Sequence, residues 1–323
     1  MKISFEPKKL DLKVNWKISR NEALFKENVF IKLTHGGQFG LGEVAPNIRY
    51  NETLDLVLKQ LKEFPTVDEP EALLEEVSHS KVCHSLKNGL VCAAIDLICK
   101  LKGIGVEEFL NLTSLRVAAT SISVPIMDQS LVESYVSDIN RFKFIKIKVN
   151  ELNCVDFTKQ VAKFSSSPIR IDANEAFTSL DSFQKFVDQV SSLNIQFIEQ
   201  PFKASDVELY RKIKGQTPFE IMADESIEDH ADFQTLSELF DSVNVKLMKA
   251  GGYLQAKRLT EGAKSKGLKV MLGCMIESSV GIRNALRLGS LADYFDLDGS
   301  LLIKNDPYNK IHESNGLVSL IED

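Results

Sequence analysis

Short apolar runs in the second half of the chain end in charged residues whose types and order could do chemistry. Lys148, Asp172, Glu199, Asp224 and Lys246 follow one another at steps of 24, 27, 25 and 22 residues, and a carboxylate pair, Asp296 and Asp298, closes the series. A single acid after a strand is readily explained as a cap for the next helix. The order base, acid, acid, acid, base, acid pair at a near-constant period points instead to convergence on one place. Three carboxylates sharing a site push up one another's pKa unless a counter-charge is present. Hard oxygen donors with open positions suit Mg²⁺, which completes its octahedron with waters or substrate oxygens. Asp172, Glu199 and Asp224 are therefore expected to hold that ion. Lys148 and Lys246 would flank it, with the α-carbon of a metal-bound substrate carboxylate between them, one amine removing a proton and the other returning it on the opposite face. That chemistry is 1,1-proton transfer.

The run Phe144 to Val149 carries a second lysine, Lys146. Successive strand side chains alternate, so Lys146 and Lys148 share one face and Ile145, Ile147 and Val149 the other. Two ammonium groups one pleat repeat apart, about 6.5 Å, repel by roughly 2.5 kcal/mol at an effective dielectric of about 20. Lys146 is thus expected to tune the base Lys148 and to offset negative charge on an enolate.

The elements that position these groups follow from the pattern around them. Branched apolar runs at 120–127, 144–149, 168–174, 195–201, 219–226, 242–248, 269–278 and 293–299 alternate with amphipathic segments. One such segment places Leu180, Phe183, Phe186, Val187 and Val190 on one stripe, with Thr178 or Ser179 available as its cap. Strands alternating with helices imply a parallel sheet, and eight of them imply a closed barrel whose site lies at the strands' C-terminal ends. The first 115 residues differ: strand-like runs with hairpin glycines precede three helical patterns, which reads as an α+β capping domain. The expected fold is a modified TIM barrel, (β/α)7β, over residues 116–299. Its cap spans 1–115, and the tail 300–323, with its Asn-Gly turn signal, returns to that cap.

Composition narrows the partners. A chain of 323 residues that is 44% hydrophobic can bury a sizeable core, and its net charge of −6 is spread without a basic run. A small-molecule ligand is expected, with no nucleic acid and no membrane. No apolar run is long enough to span a bilayer, and the N-terminus shows no leader pattern. Five cysteines with no CxxC pair fit free thiols in a reducing, cytoplasmic compartment. The five histidines lie outside the strand-end series and receive no catalytic role.

The ordered motifs "IKIK", "IDANEAF", "IEQP", "ADES" and "NVKLMKAGG" resemble the enolase superfamily, in its muconate-lactonizing-enzyme-like branch with a lysine on each side of the site. The resemblance covers nearly the whole chain, including "GLGEVAP" in the cap. It implies Asp172, Glu199 and Asp224 as Mg²⁺ ligands and Lys148 with Lys246 as the acid/base pair acting through a metal-stabilised enolate. "DLDG", with Asp296 and Asp298, resembles the Asp-x-Asp of dipeptide epimerases, implying that this pair binds the substrate's α-ammonium; paired carboxylates suit an ammonium. The implied activity is dipeptide epimerisation at the C-terminal residue's α-carbon. The alternatives are an N-acylamino acid racemase or o-succinylbenzoate synthase and, in another class, a non-catalytic barrel that keeps the metal site. Specificity is expected from cap residues 15–26, including Arg20, and 47–52, and from Ser121, Ser123, Met275 and Ile276. Lys249 is expected to pack or pair on the loop after Lys246. The resemblance also implies a tendency to form homo-oligomers.

Overall fold

The computed structural model describes residues 1–18 and 22–321. Arg20 lies outside the described residues. The N-terminal sheet is an antiparallel meander of β1 (Lys2–Lys17), β2 (Glu22–His35) and β3 (Gln38–Val44). Its second turn is the Gly36–Gly37 hairpin, with His35 opposite Gln38. Helices α1 (Leu54–Glu63), α2 (Pro70–His79) and α3 (His84–Lys102) follow. α3 is apolar around most of its circumference because it is covered by β3 on one side and by the barrel on another. Contact with β3 is so close that a Cβ on Gly42 would lie 1.9 Å from the carbonyl oxygen of Gly89. Only glycine fits there.

After the single turn α4 (Val106–Phe109) and the short strand β4 (Val117–Ala119), eight parallel strands run in chain order. They are β5 (Ser121–Val124), β6 (Phe144–Lys148), β7 (Ile169–Asp172), β8 (Ile195–Glu199), β9 (Glu220–Ala223), β10 (Ser242–Lys246), β11 (Lys269–Gly273) and β12 (Tyr294–Asp296). The intervening helices are α5 (Gln129–Ile139), α6 (Cys154–Phe164), α7 (Leu180–Val190), α8 (Val207–Ile213), α9 (Phe233–Leu239), the turn α10 (Leu247–Ala250), α11 (Tyr253–Ser265) and α12 (Ser279–Leu286). On α7 the apolar stripe buried against the barrel is Phe183, Phe186, Val187 and Val190, and Ser179 Oγ caps its start by accepting from Ser182 N.

Both faces of the strands are buried, but with different contents. Outward residues such as Ile145, Ile147, Ile171, Ile198, Val243 and Val245 meet the helices. Inside, the lower barrel is filled by Phe197, Met222 and Met271. The Arg170 guanidinium sits 4.1 Å from the Phe144 ring centre and donates to the Phe295 carbonyl at 2.6 Å. This packed floor, with Arg170 bonded to the Phe295 carbonyl and to Gln196, leaves the upper mouth as the open end of the barrel.

Hydrogen-bonded ladders join β5 through β12, and the barrel closes between those two edges by side chains. Thr120 Oγ1 accepts from Leu297 N at 2.8 Å, and Asp298 Oδ2 accepts from Ser123 N at 2.7 Å. The tail forms β13 (Ile311–Ser314) and β14 (Leu317–Leu320), and β14 pairs with β4. Before them, Leu12 of β1 bridges to Ile303. No helix among the described residues is long and apolar enough to cross a membrane, and all five cysteines are free.

Candidate active site

Lys148, Asp172, Glu199, Lys246 and Asp296 each end their strand, and Asp224 directly follows β9. Cross-strand bonds hold these ends level: Val149 N donates to Asp172 O, Ala173 N to Glu199 O, and Gln200 N to Met222 O, all at 2.9–3.1 Å. Gln200 adopts a left-handed φ of 41°, a conformation costing of order 1 kcal/mol that its surroundings must enforce. Its buried side chain does so: Oε1 accepts from Asp224 N and Ser226 N, and Nε2 donates to Tyr210 Oη and Ser226 Oγ. Asp224 is thereby fixed next to Glu199 by the residue that follows Glu199.

The three carboxylates are buried, and each offers an oxygen within 4.8 Å of the others. Their positive neighbours are lysines. Lys148 Nζ donates a short hydrogen bond to Asp172 Oδ2. Lys246 Nζ donates to Asp224 Oδ2 at 2.8 Å, and Lys249 Nζ to Asp224 Oδ1 at 2.6 Å. Lys249 therefore pairs, one of the two roles expected of it. β6 and β10 are four strands apart in an eight-stranded barrel, so Lys148 and Lys246 rise from opposite walls with the acids between them.

The surroundings of Lys146 bear on one of its two expected roles, the repulsive tuning of Lys148. Lys146 is 1% exposed, with Nζ 2.7 Å from Glu199 Oε2, 3.1 Å from Asp172 Oδ2 and 2.7 Å from Asp296 Oδ2. Burial opposes its charge, but Asp172, Asp296 and Glu199 outweigh burial and hold it well above the ordinary lysine range. The expectation that it repels Lys148 considered one strand in isolation. Across the barrel its charge is already matched by three carboxylates.

Charges in the mouth are strongly differentiated. Burial works against ionised Asp224, yet Lys246 and Lys249 hold it well below the usual carboxylate range. Burial and neighbouring Asp172 push Glu199 up to about 7. Burial works against the Lys246 ammonium too, but Asp224 and Glu199 prevail and raise its pKa. Asp296 is drawn down to about 2 because Lys146 and Lys148 overcome the effect of burial, whereas burial and Asp296 push Asp298 up to about 6.

A cavity of about 720 Å³ lies over these groups, with Lys148, Asp224, Lys246, Asp296 and Asp298 on its floor. Met275, Ile276 and Ser123 line it, as do cap residues Trp16, Ile18 and Lys26 from one segment and Asn47 to Tyr50 from another. Ser121 does not face it: its hydroxyl donates to Asp296 Oδ1 at 2.6 Å, inside the seam. Sequence reasoning stopped at strand-final residues and missed Glu175 and Glu225, three and one positions past ligand candidates. Both meet Arg49 of the cap, at 2.6 and 3.6 Å. Burial and Asp224 push Glu225 up to about 8.

The donor chemistry fits a hard divalent cation. Three carboxylates converge, and Asn244 Nδ2 orients Glu199 by donating to Oε1 at 2.8 Å.

Fold and site together define a capped β/α barrel with a carboxylate triad at its mouth. The chain belongs to the family described as enolase C-terminal domain-like, which matches residues 129–307. The L-Ala-D/L-amino acid epimerase of Maribacter sp. is 31% identical, covering 96% of this chain and 94% of its own. An N-acetyl-D-glutamate racemase of Pseudoalteromonas sp. is 30% identical over 88% of this chain and 90% of its own. Among solved structures, the dipeptide epimerase of Methylococcus capsulatus, complexed with Mg and L-Arg-D-Lys, superposes with a TM-score of 0.91 at 24% identity, covering 99% of this chain and 97% of its own. The curated relatives are thus isomerases by name, and the structural likeness establishes the shared fold.

Proposed function

We propose that this chain is a Mg²⁺-dependent dipeptide epimerase that inverts the α-carbon of the substrate's C-terminal residue. The observation that carries the reading is the placement of Lys148 and Lys246 on opposite walls of one cavity, each bonded to a different carboxylate of the triad. Asp172, Glu199 and Asp224 would hold the ion, which when bound neutralises charge developing on the substrate's carboxylate oxygens. One lysine in its neutral form takes the α-proton, and the other, as an ammonium, delivers a proton to the opposite face. In the reverse direction the roles exchange. Lys146, buried among Asp172, Glu199 and Asp296, keeps a fixed positive charge beneath the reacting carboxylate. Asp298 lines the cavity and, with Asp296, supplies the negative charge that a free α-ammonium requires. The same reading divides the chain into a cap, residues 1–115 joined by 300–323, and a barrel over 116–299.

Proton NMR in D₂O with Mg²⁺ and a panel of L,L-dipeptides tests the reaction. Loss of the C-terminal residue's α-proton signal together with growth of the L,D diastereomer is expected. Lys148→Ala and Lys246→Ala should each lower epimerisation by about 10²–10⁴-fold while the protein still binds Mg²⁺. Epimerisation at near the parent rate by either variant would overturn the two-lysine mechanism. The N-acetyl-D-glutamate racemase among the relatives favours N-acylamino acids as a second reading. Exchange with these but with no dipeptide would establish it.

A further inference from the structure

The cap does more than roof the cavity, because two of its side chains grip the barrel loop that forms one cavity wall. Met275 and Ile276 lie between β11 and α12 and face the cavity. From β3 of the cap, the fully buried Glu43 reaches the residues that follow them. Its Oε1 accepts from Ser278 N at 2.8 Å, and its Oε2 accepts from Ser278 Oγ at 2.6 Å and Gly281 N at 2.9 Å. Asn28, on neighbouring β2, donates from Nδ2 to Glu43 Oε1 at 2.8 Å and to the Ile276 carbonyl at 3.1 Å. One amide thus ties the carboxylate clamp directly to the wall.

Other contacts hold the ends of the loop: Cys274 Sγ donates to the Asp296 carbonyl at 3.2 Å and Ser279 N to Asp306 Oδ2 at 2.7 Å. Within it, Glu277 Oε1 accepts from Met275 N at 2.7 Å. From the cap, Asn47 Nδ2 approaches Met275 Sδ at 3.5 Å. Glu43 accepts four hydrogen bonds without a cationic partner among them. Buried carboxylates bonded in this way fix donors with little freedom, and removing one partner leaves the others unsatisfied.

We propose that Glu43 and Asn28 are positioning residues that set the Met275–Ile276 wall, so that side-chain selectivity is determined partly from the cap, through the backbone of the loop that carries these two residues. The proposal rests on the reading that a dipeptide occupies this cavity. With the wall held, the space available to a substrate side chain is fixed. When the clamp is loosened, the wall can yield to larger side chains and loses its close fit to smaller ones.

The test is a set of kcat and KM measurements, by α-proton exchange in D₂O, on L-Ala dipeptides graded in C-terminal side-chain size and a second series graded at the N-terminal residue. Asn28→Ala is the main variant because it keeps Glu43 and its bonds to Ser278 and Gly281. Glu43→Gln is the second variant, and it replaces one of the two oxygens that accept these four bonds with an amide NH2 that cannot accept. In at least one series, the ratio of kcat/KM between the largest and smallest side chains should shift by about tenfold, the size of effect that one lost pocket contact gives, and the shift should reside in KM. Because Asn28 also lines the cavity, the double variant Asn28→Ala with Ile276→Ala separates direct from indirect action. Acting through the wall, the pair should shift selectivity no further than Ile276→Ala alone. Additive shifts, or a uniform fall for every dipeptide, would overturn the proposal. If the unaltered enzyme exchanges no dipeptide α-proton, the failure belongs to the functional reading and not to the clamp.

Discussion

Asp296 and Asp298 are two residues apart and buried in the same seam, yet their surroundings drive them in opposite directions. Lys146 and Lys148 overcome burial and draw Asp296 down to about 2, while burial and the negative charge of Asp296 push Asp298 up to about 6. Such divergence assigns different tasks to adjacent carboxylates. Asp296 is the standing counter-charge of Lys146, and on the proposed reading Asp298 is the carboxylate that would be relieved by a substrate ammonium. A raised carboxylate pKa means that the protonated form is favoured by folding. Its contribution is fully present below the unfolded value near 3.8 and is lost as pH rises through about 6. An asparagine side chain in place of Asp298 would imitate the protonated acid and still accept the Ser123 N–H bond. Without divalent cation, Asp298→Asn should therefore be more stable than the parent at pH 8, by roughly 1–3 kcal/mol, and equal to it below about pH 4. Epimerisation of free-amine dipeptides should fall sharply at the same time. Thermal unfolding of both proteins across this pH range decides the matter: a variant less stable than the parent at pH 8 would show that Asp298 is not strained by its burial.

At the scale of elements, the strand ends were legible in the sequence and the joints between elements were not. Lys148, Asp172, Glu199, Asp224 and Lys246 could be placed because strand periodicity and the repeating βα unit bring every strand end to one rim. The partners of Lys146 depend on side chains from three other strands, and a single-strand reading gave it a repulsive neighbour instead. Asn28 and Glu43 were missed for a related reason, and Arg49 was reached only as part of the 47–52 segment, without its partners. Glu43 meets Ser278 across 235 positions and Arg49 meets Glu175 across 126, with no local pattern to announce either contact. The seam between β5 and β12 shows another joint of this kind. Gly299, the last residue of the "DLDG" motif, lets the β11–α12 loop pack on the end of β12: an added Cβ would stand 2.4 Å from Met275 O and 2.9 Å from Glu277 N. Both are backbone atoms, so relief requires moving the loop. Gly299→Ala should cost about 1–3 kcal/mol of stability, typical of overpacking, and raise KM through displacement of Met275 and Ile276. Thermal melts and steady-state kinetics on one preparation test both parts; an unchanged melting temperature would mean that the loop has slack the structure does not display.

For the molecule as a whole, the triad can be understood in two ways that predict different stability. In one, the acids belong to a salt-bridge network in which Lys146, Lys148, Lys246 and Lys249 already neutralise Asp172, Glu199 and Asp224. Such a network needs no further cation, and buried ion pairs give little net stability. In the other, the lysines hold the acids together for a divalent ion, whose affinity exists only once β7, β8 and β9 are assembled. A ligand that binds only the folded state stabilises it by RT ln(1 + [L]/Kd), about 2.7 kcal/mol at a hundredfold excess over Kd. For a chain of this size that corresponds to a rise in melting temperature of roughly 5 °C. The gain should reach the cap too, because Arg49 joins Glu175 and Glu225 beside the triad, and Glu43 and Asn28 join the opposite rim. Cap and barrel should accordingly unfold in one transition that moves upward with Mg²⁺ and returns with a chelator. Asp224→Asn, which keeps the side-chain volume but removes a charged donor, should abolish the shift. A melting temperature indifferent to Mg²⁺ in the unaltered protein would identify the triad as a lysine-neutralised network and remove the ion from the proposed reaction.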